Sequence, residues 1–217
     1  MATPIKVDVW SDIACPFCYI GKRKFEAAAA TSGVPVEVEY HSFELSPDTP
    51  EDFAGSHADY LAAKLRVTAG QARGMERQTT ALAEAVGLDF RYDLLKPTPT
   101  RKAHELLHYA KAHGRQVETK DRLLAAYFTD GLHVGRIDEL TDLAAGLGFD
   151  RADVLRSLES GEYAAAVEAD VRTAVSYGIT GVPFFVFDGR YGVSGAQEPA
   201  TFAGVLAKID KEKEPAA

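Results

Sequence analysis

The sequence predicts an α/β protein, in which a compact domain built from segments 1–45 and 160–217 is interrupted after its second strand by an all-helical domain, 46–159. Two observations carry this. Strand patterns cluster near the two ends of the chain, and nearly everything between them reads as helix. An insertion of that kind is thermodynamically cheap, because loop-closure entropy grows only logarithmically with length.

The elements follow in order. Residues 5–10, Ile-Lys-Val-Asp-Val-Trp, alternate apolar and polar as a half-buried strand does. After the connector 11–14, Cys15-Pro16 opens a helix; proline is tolerated in a first turn because its missing N–H would have no intrahelical partner there. Gly33 ends that helix, and Val34 to Phe43 form a second strand. Residues 46–52, Ser-Pro-Asp-Thr-Pro-Glu-Asp, are turn chemistry. Helices are expected at 57–66, 68–86, 99–114, 117–129 and 137–146, with Gly87 and Gly114 as C-caps. Asp150 caps a short helix at 151–159, and another runs from Glu162 to before Gly178. Pro183 to Phe187 is an apolar strand, Asp188-Gly189 a two-residue hairpin turn, and Tyr191 to Gly195 the return strand. Glu198 to Ile209 closes the chain as an amphipathic helix, followed by a solvated tail, 211–217.

Composition removes several function classes. Of 217 residues, 46% are apolar and 26% charged, which argues against disorder. A net charge of −8 argues against nucleic-acid binding, which needs clustered cations. The two cysteines, three residues apart, cannot staple a fold. The N-terminus lacks an apolar signal region and no stretch is long and apolar enough to span a membrane, so a soluble, cytoplasmic protein is expected. In that compartment thiols stay mostly reduced, and a Cys-x-x-Cys pair points to catalysis or metal binding.

The chemistry concentrates at Cys15-Pro16-Phe17-Cys18, between a strand and a helix. A helix N-terminus favours an anion, so Cys15 is expected to be an exposed thiolate and the nucleophile. Cys18, one turn on, can attack a mixed disulfide formed at Cys15. The competing readings are two inert apolar residues or half of a zinc site, and the latter would need about four ligands where the chain has one pair of cysteines. Pro183 stands at the entrance of an apolar strand, where it cannot donate to the ladder. A cis Val182–Pro183 bond would turn the chain there and expose Val182 backbone groups to a substrate; an ordinary trans proline on an edge strand is favoured by the residues alone.

These segments resemble the DsbA-like branch of the thioredoxin superfamily, and within it the FrnE-like subfamily. The resembling residues are Asp8 to Asp12 with Cys15 to Gly21, Ala126 to Thr129, Gly181 to Phe187 and Gly195 to Gln197, so the likeness spans nearly the whole chain. It implies a thioredoxin fold carrying a helical insertion, thiol–disulfide oxidoreductase activity and a cis Pro183. From the residues themselves, Cys15 and Cys18 are expected to be catalytic, Val182 and Pro183 to shape the substrate site, and Phe17 to offer it an apolar surface. No metal or organic cofactor is expected, because the cysteines store the two electrons. Substrates would be protein or small-molecule thiols and disulfides; a homodimer is one option for the assembly. One residue departs from the family's periplasmic oxidants, which carry His where this chain has Phe17. Losing that cation next to Cys15 implies a milder oxidant.

Two other classes compete. The kappa-class glutathione transferases and 2-hydroxychromene-2-carboxylate isomerases resemble the chain in architecture but carry Ser at the position of Cys15. A non-catalytic chaperone would use the groove beside Pro183. Among weaker signals, His104-Glu105-Leu106-Leu107-His108 matches the H-E-x-x-H zinc pattern, but is read as a helix face exposing two histidines. Trp10 and Phe184 are expected in the core. Glu37 and Glu39 are expected on a solvated face, the alternative being a buried proton acceptor for Cys18. Asp12 would raise the Cys15 pKa if it lay close.

Overall fold

The computed structural model describes residues 3–213. Strand β1 (Ile5–Ser11) leads into helix α1 (Pro16–Ser32), which returns to β2 (Val36–Ser42). Seven helices follow: α2 (His57–Leu65), α3 (Ala69–Glu84), α4 (Arg101–Ala112), α5 (Gln116–Ala125), α6 (Ile137–Gly146), α7 (Arg151–Ser160) and α8 (Ala164–Ser176). The chain then closes with β3 (Phe184–Phe187), β4 (Tyr191–Ser194) and α9 (Pro199–Lys213). The four strands lie in the order β2-β1-β3-β4, with β1 parallel to β2 and antiparallel to β3, and β3 antiparallel to β4.

Alternation along β1 assigns its two faces. Ile5, Val7 and Val9 join Phe25 of α1, Phe185 and Phe187 of β3 and Phe202 of α9 in one buried cluster. On the other face, Trp10 packs with Ala174 of α8, Ile179 and Val186. A third and larger cluster fills the helical insertion and reaches the sheet domain through Ile13, Tyr19 and Ile20. Helix α1 thus carries residues of two cores, and its N-terminus lies where they meet.

The structure departs from the expected elements in three places. The segment expected as one helix over 117–129 is α5 followed by a π-helical turn, Ala126–Asp130, closed by a bond from the Leu132 amide to the Ala126 carbonyl. The hairpin connection holds three residues rather than two: Asp188 and Gly189 both take positive φ, Arg190 donates to the Phe187 carbonyl, and Phe187 pairs with Tyr191. Asp188-Gly189 supplies the expected turn chemistry, and Arg190 is the extra residue. Helix α9 continues through Lys213, into the segment read as tail, and residues 214–217 lie outside the described residues. No helix among the described residues is long and apolar enough to cross a membrane.

Candidate active site

Cys15 is the N-cap of α1, in extended conformation, with Pro16 at the first helical position. The Cys18 amide donates to the Cys15 carbonyl at 3.0 Å, which closes the first turn and brings the two side chains to one end of the helix. The thiol of Cys15 lies 3.6 Å from the Val182 carbonyl, to which it can donate. The Val182–Pro183 peptide bond is cis. Pro183 is buried and is not among the residues that line the cavity next to Cys15. A Cβ at Gly21 would meet its ring at 3.0 Å, so the bare glycine lets the proline pack against α1. Val182 and Phe17 do line the cavity next to Cys15, and Phe17 is 44% exposed.

Cys15 is not exposed as expected: it retains 3% of its accessible surface, because the helical insertion covers that end of α1. Of the two sulfurs, only Cys15 lines the cavity. Its thiol is pushed well up, by its hydrogen bond to Cys18 and by burial. Burial acts on Cys18 in the same sense, but the hydrogen bond from Cys15 and the Lys120 ammonium outweigh it and pull Cys18 down. The resting charge of the pair is therefore favoured on Cys18, opposite to the expectation from the helix N-terminus. The titration of the two thiols belongs to the pair.

Lys120, on α5, belongs to the site although no sequence pattern marks it. It is fully buried, and its ammonium sits 3.4 Å from the Ser11 carbonyl and 3.3 Å from the Asp12 carbonyl. Burial lowers its pKa to about 8 against the pull of Cys18, Asp12 and Cys15. The group behind the dithiol is therefore a cation. Glu37 is exposed, and Glu39 is held at the other side of the sheet by Lys111 at 2.5 Å. Asp12 is buried and close enough to raise the Cys15 pKa. Burial pushes the Asp12 carboxyl up, but hydrogen bonds from His104, the Leu45 amide and Thr100 bring it below its ordinary value.

The two histidines of the zinc-like pattern are buried, not exposed, and point to different partners. His104 Nε2 is 3.2 Å from Asp12, whereas His108 Nε2 is 3.1 Å from both Ser42 Oγ and Asp170. Two turns of apolar packing on α4 against the insertion and the sheet bury both rings. Asp170 also accepts from the Ser42 amide at 2.8 Å and lies 3.0 Å from His41 Nδ1. His41, stacked on Trp10, reaches Asp8 with its other nitrogen at 2.8 Å. Asp8, Glu39 and His41 could bring ligand atoms within 4.8 Å of one another, but Lys6 and Lys111 already neutralise the two carboxylates. Trp10 is buried as expected, and Phe184 is half-buried.

A cavity of about 410 Å³ opens over Cys15, between α1, Val182 and the helices α2 and α3. A strand–helix–strand unit and a hairpin around one sheet, with a dithiol at the start of the first helix, define the thioredoxin class of fold. The chain belongs to the DSBA-like thioredoxin domain family, whose model matches residues 6–207. It is similar to the uncharacterized protein YwbO of Bacillus subtilis, 31% identical over 96% of this chain and 99% of that one. Among solved structures, it superposes on a probable DsbA oxidoreductase, SCO1869 of Streptomyces coelicolor, with TM-score 0.88 and 39% identity over 98% of this chain and 93% of the other. A 2-hydroxychromene-2-carboxylate isomerase shares the fold at TM-score 0.71, with 16% identity over 95% of this chain and 97% of that one.

Proposed function

We propose that the chain is a thiol–disulfide oxidoreductase in which Cys15 attacks and Cys18 resolves. The observation that carries this reading is that Cys15 alone of the pair lines the cavity, while Cys18 waits one turn behind it. Proton transfer across the sulfur–sulfur hydrogen bond moves the pair's negative charge from Cys18 to Cys15. The Cys15 thiolate attacks one sulfur of a substrate disulfide, that S–S bond breaks, and the first sulfur leaves as a thiolate that takes a proton from solvent. Cys18 then gives up its proton and attacks Cys15, the mixed disulfide breaks, and the second thiol leaves. The substrate is reduced to two thiols and the enzyme is left as the Cys15–Cys18 disulfide; the opposite direction oxidises a dithiol by the same steps. The two cysteines hold both electrons, so the scheme uses no metal or organic cofactor. It suits a cytoplasmic setting, with protein or small-molecule thiols as partners.

The second reading is an isomerase or glutathione transferase of the same architecture, favoured by the isomerase's likeness in fold and by the cavity over residue 15. Cys18 argues against it, since a resolving thiol serves only redox chemistry. Equilibration of the couple with glutathione redox buffers tests the redox reading. We expect a measurable two-electron potential that Phe17→His raises by about 10–30 mV, since 30 mV corresponds to ~1.4 kcal/mol and one added cation at the site supplies that or less. A dithiol that never forms an intramolecular disulfide, alongside a glutathione-dependent isomerisation that survives Cys18→Ser, would replace the redox reading with the second.

A further inference from the structure

The cavity over Cys15 has a composition that selects among disulfides. Exposed large apolar side chains are unusual on a folded surface when they cluster. Four of them, Phe17, Leu45, Leu65 and Met75, share the lining of this one cavity. Tyr60 and Tyr92 stand in its wall, and their hydroxyls are already bonded, to Thr49 at 2.8 Å and to Thr79 at 2.7 Å. Their polar ends are thereby satisfied, and what remains for a ligand is the rings.

The charges in the lining are few and do not add up to an anion site. Asp12 is bonded to His104 and to the Leu45 amide, Glu76 pairs with His57 at 2.8 Å, and Lys64 lies at the Ser46 hydroxyl and over the Tyr60 ring. One lysine faces two carboxylates, and no arginine lines the cavity. A ligand with two free carboxylates, such as glutathione, would find a single cation already engaged. A volume of about 410 Å³ lies within the range of small-molecule sites.

We infer that the preferred disulfide is a small, uncharged molecule with an aromatic or similarly flat apolar group, held in this cavity with its sulfur on Cys15, in preference to glutathione disulfide. This deepens the redox reading above and rests on it. In the reaction the reduced enzyme supplies two electrons and the one proton of its thiol–thiolate pair, and solvent supplies the second proton. The substrate S–S bond is replaced by the Cys15–Cys18 bond, and two small thiols leave.

Single-turnover oxidation of the reduced protein tests it with three alkyl disulfides of similar intrinsic reactivity: benzyl 2-hydroxyethyl disulfide, bis(2-hydroxyethyl) disulfide and glutathione disulfide. Each rate is divided by that of dithiothreitol with the same disulfide. We expect the benzyl compound to exceed both others by about tenfold or more, the amount that burying one ring supports. Leu61→Trp fills the cavity and should reduce that ratio at least about fivefold, by the same burial lost. Met75→Lys at the exposed rim keeps the fold if the tryptophan variant does not form. It should narrow the ratio from the other side, by raising the glutathione disulfide rate. If all three disulfides react at one normalised rate, or if the ratio survives both substitutions, the inference is overturned and the redox reading stands. If none of the three oxidises the wild-type dithiol, the redox reading falls and takes the inference with it.

Discussion

Lys120 carries a positive charge into the centre of the molecule, and the dithiol gives the reason for keeping it there. A buried ammonium is costly, which is why its pKa falls to about 8. The unfolded lysine has the higher pKa, near 10.5. Folding is therefore penalised where the group must be charged in both states, below pH 8, and the penalty fades as pH rises from about 8 to 10.5. Lys120→Met removes the penalty. The variant should gain stability relative to wild type at pH 7, by on the order of 1–3 kcal/mol, and the difference should shrink above pH 10; denaturant melts across that range measure it. The same variant should raise the pKa of the thiol pair and slow iodoacetamide alkylation at pH 7, because the cation no longer favours the Cys18 thiolate. At this scale the cysteines were legible in the sequence, since their spacing and their place before a helix carry the signal. Lys120 was not, because nothing local marks a lysine whose partners, Ser11 and Asp12, lie more than a hundred residues earlier in the chain. The burial of Cys15 was equally hidden, because the covering side chains come from the insertion.

Helix α1 has to pass between the Pro183 ring and the Ala196 backbone, and Gly21 is where it passes. A Cβ there would lie 3.0 Å from Pro183 Cγ and 3.3 Å from Ala196 Cα. Alanine would gain about 1 kcal/mol of helix propensity, but both neighbours are rigid and overpacking costs about 1–3 kcal/mol. Gly21→Ala should therefore destabilise the fold by up to about 2 kcal/mol and slow thiol exchange by displacing Val182 from Cys15, as urea melts and single-turnover kinetics can show. The elements themselves were readable where one periodicity ran uninterrupted, as in α6 and α7, whose expected and observed bounds agree within a residue. The π-helical turn at Ala126–Asp130 was not, because its residues continue the helical pattern and the extra residue per turn is set by packing of Tyr127 and Phe128 in the insertion core. The third hairpin residue, Arg190, escaped for a related reason: turn chemistry identifies Asp188-Gly189, while the register between β3 and β4 fixes the length of the connection.

Across the whole molecule, Asp170 ties the sheet to two helices. From α8 it meets His41 and Ser42 of β2 and His108 of α4. Burial pushes its carboxyl up, but the hydrogen bonds from His108, His41 and the Ser42 amide hold it well below the usual carboxylate range. Burial lowers the His41 pKa, and its bonds to Asp170 and Asp8 more than reverse that. A depressed carboxyl stabilises above its unfolded pKa and loses that contribution as pH falls through the folded value. A raised imidazole stabilises below its unfolded pKa and loses it as pH rises through the folded value. Both contributions are complete between about pH 4 and 6.5. Asp170→Asn should cost about 1–3 kcal/mol in that window, allowing for solvent screening of a carboxylate not fully buried, and less at pH 9. Sequence patterns could order the strands and helices but not this junction, whose members lie on β1, β2, α4 and α8. The proposed chemistry turns on which sulfur meets the substrate, and trapping the mixed disulfide decides that most directly. Reduced Cys18→Ser and Cys15→Ser proteins are each exposed to benzyl 2-hydroxyethyl disulfide, and the adduct is located by peptide mass spectrometry. A stable adduct on Cys15 of the Cys18→Ser protein is predicted, with little reaction at Cys18 of the other; fast adduct formation on Cys18 with Cys15 left unmodified would contradict it.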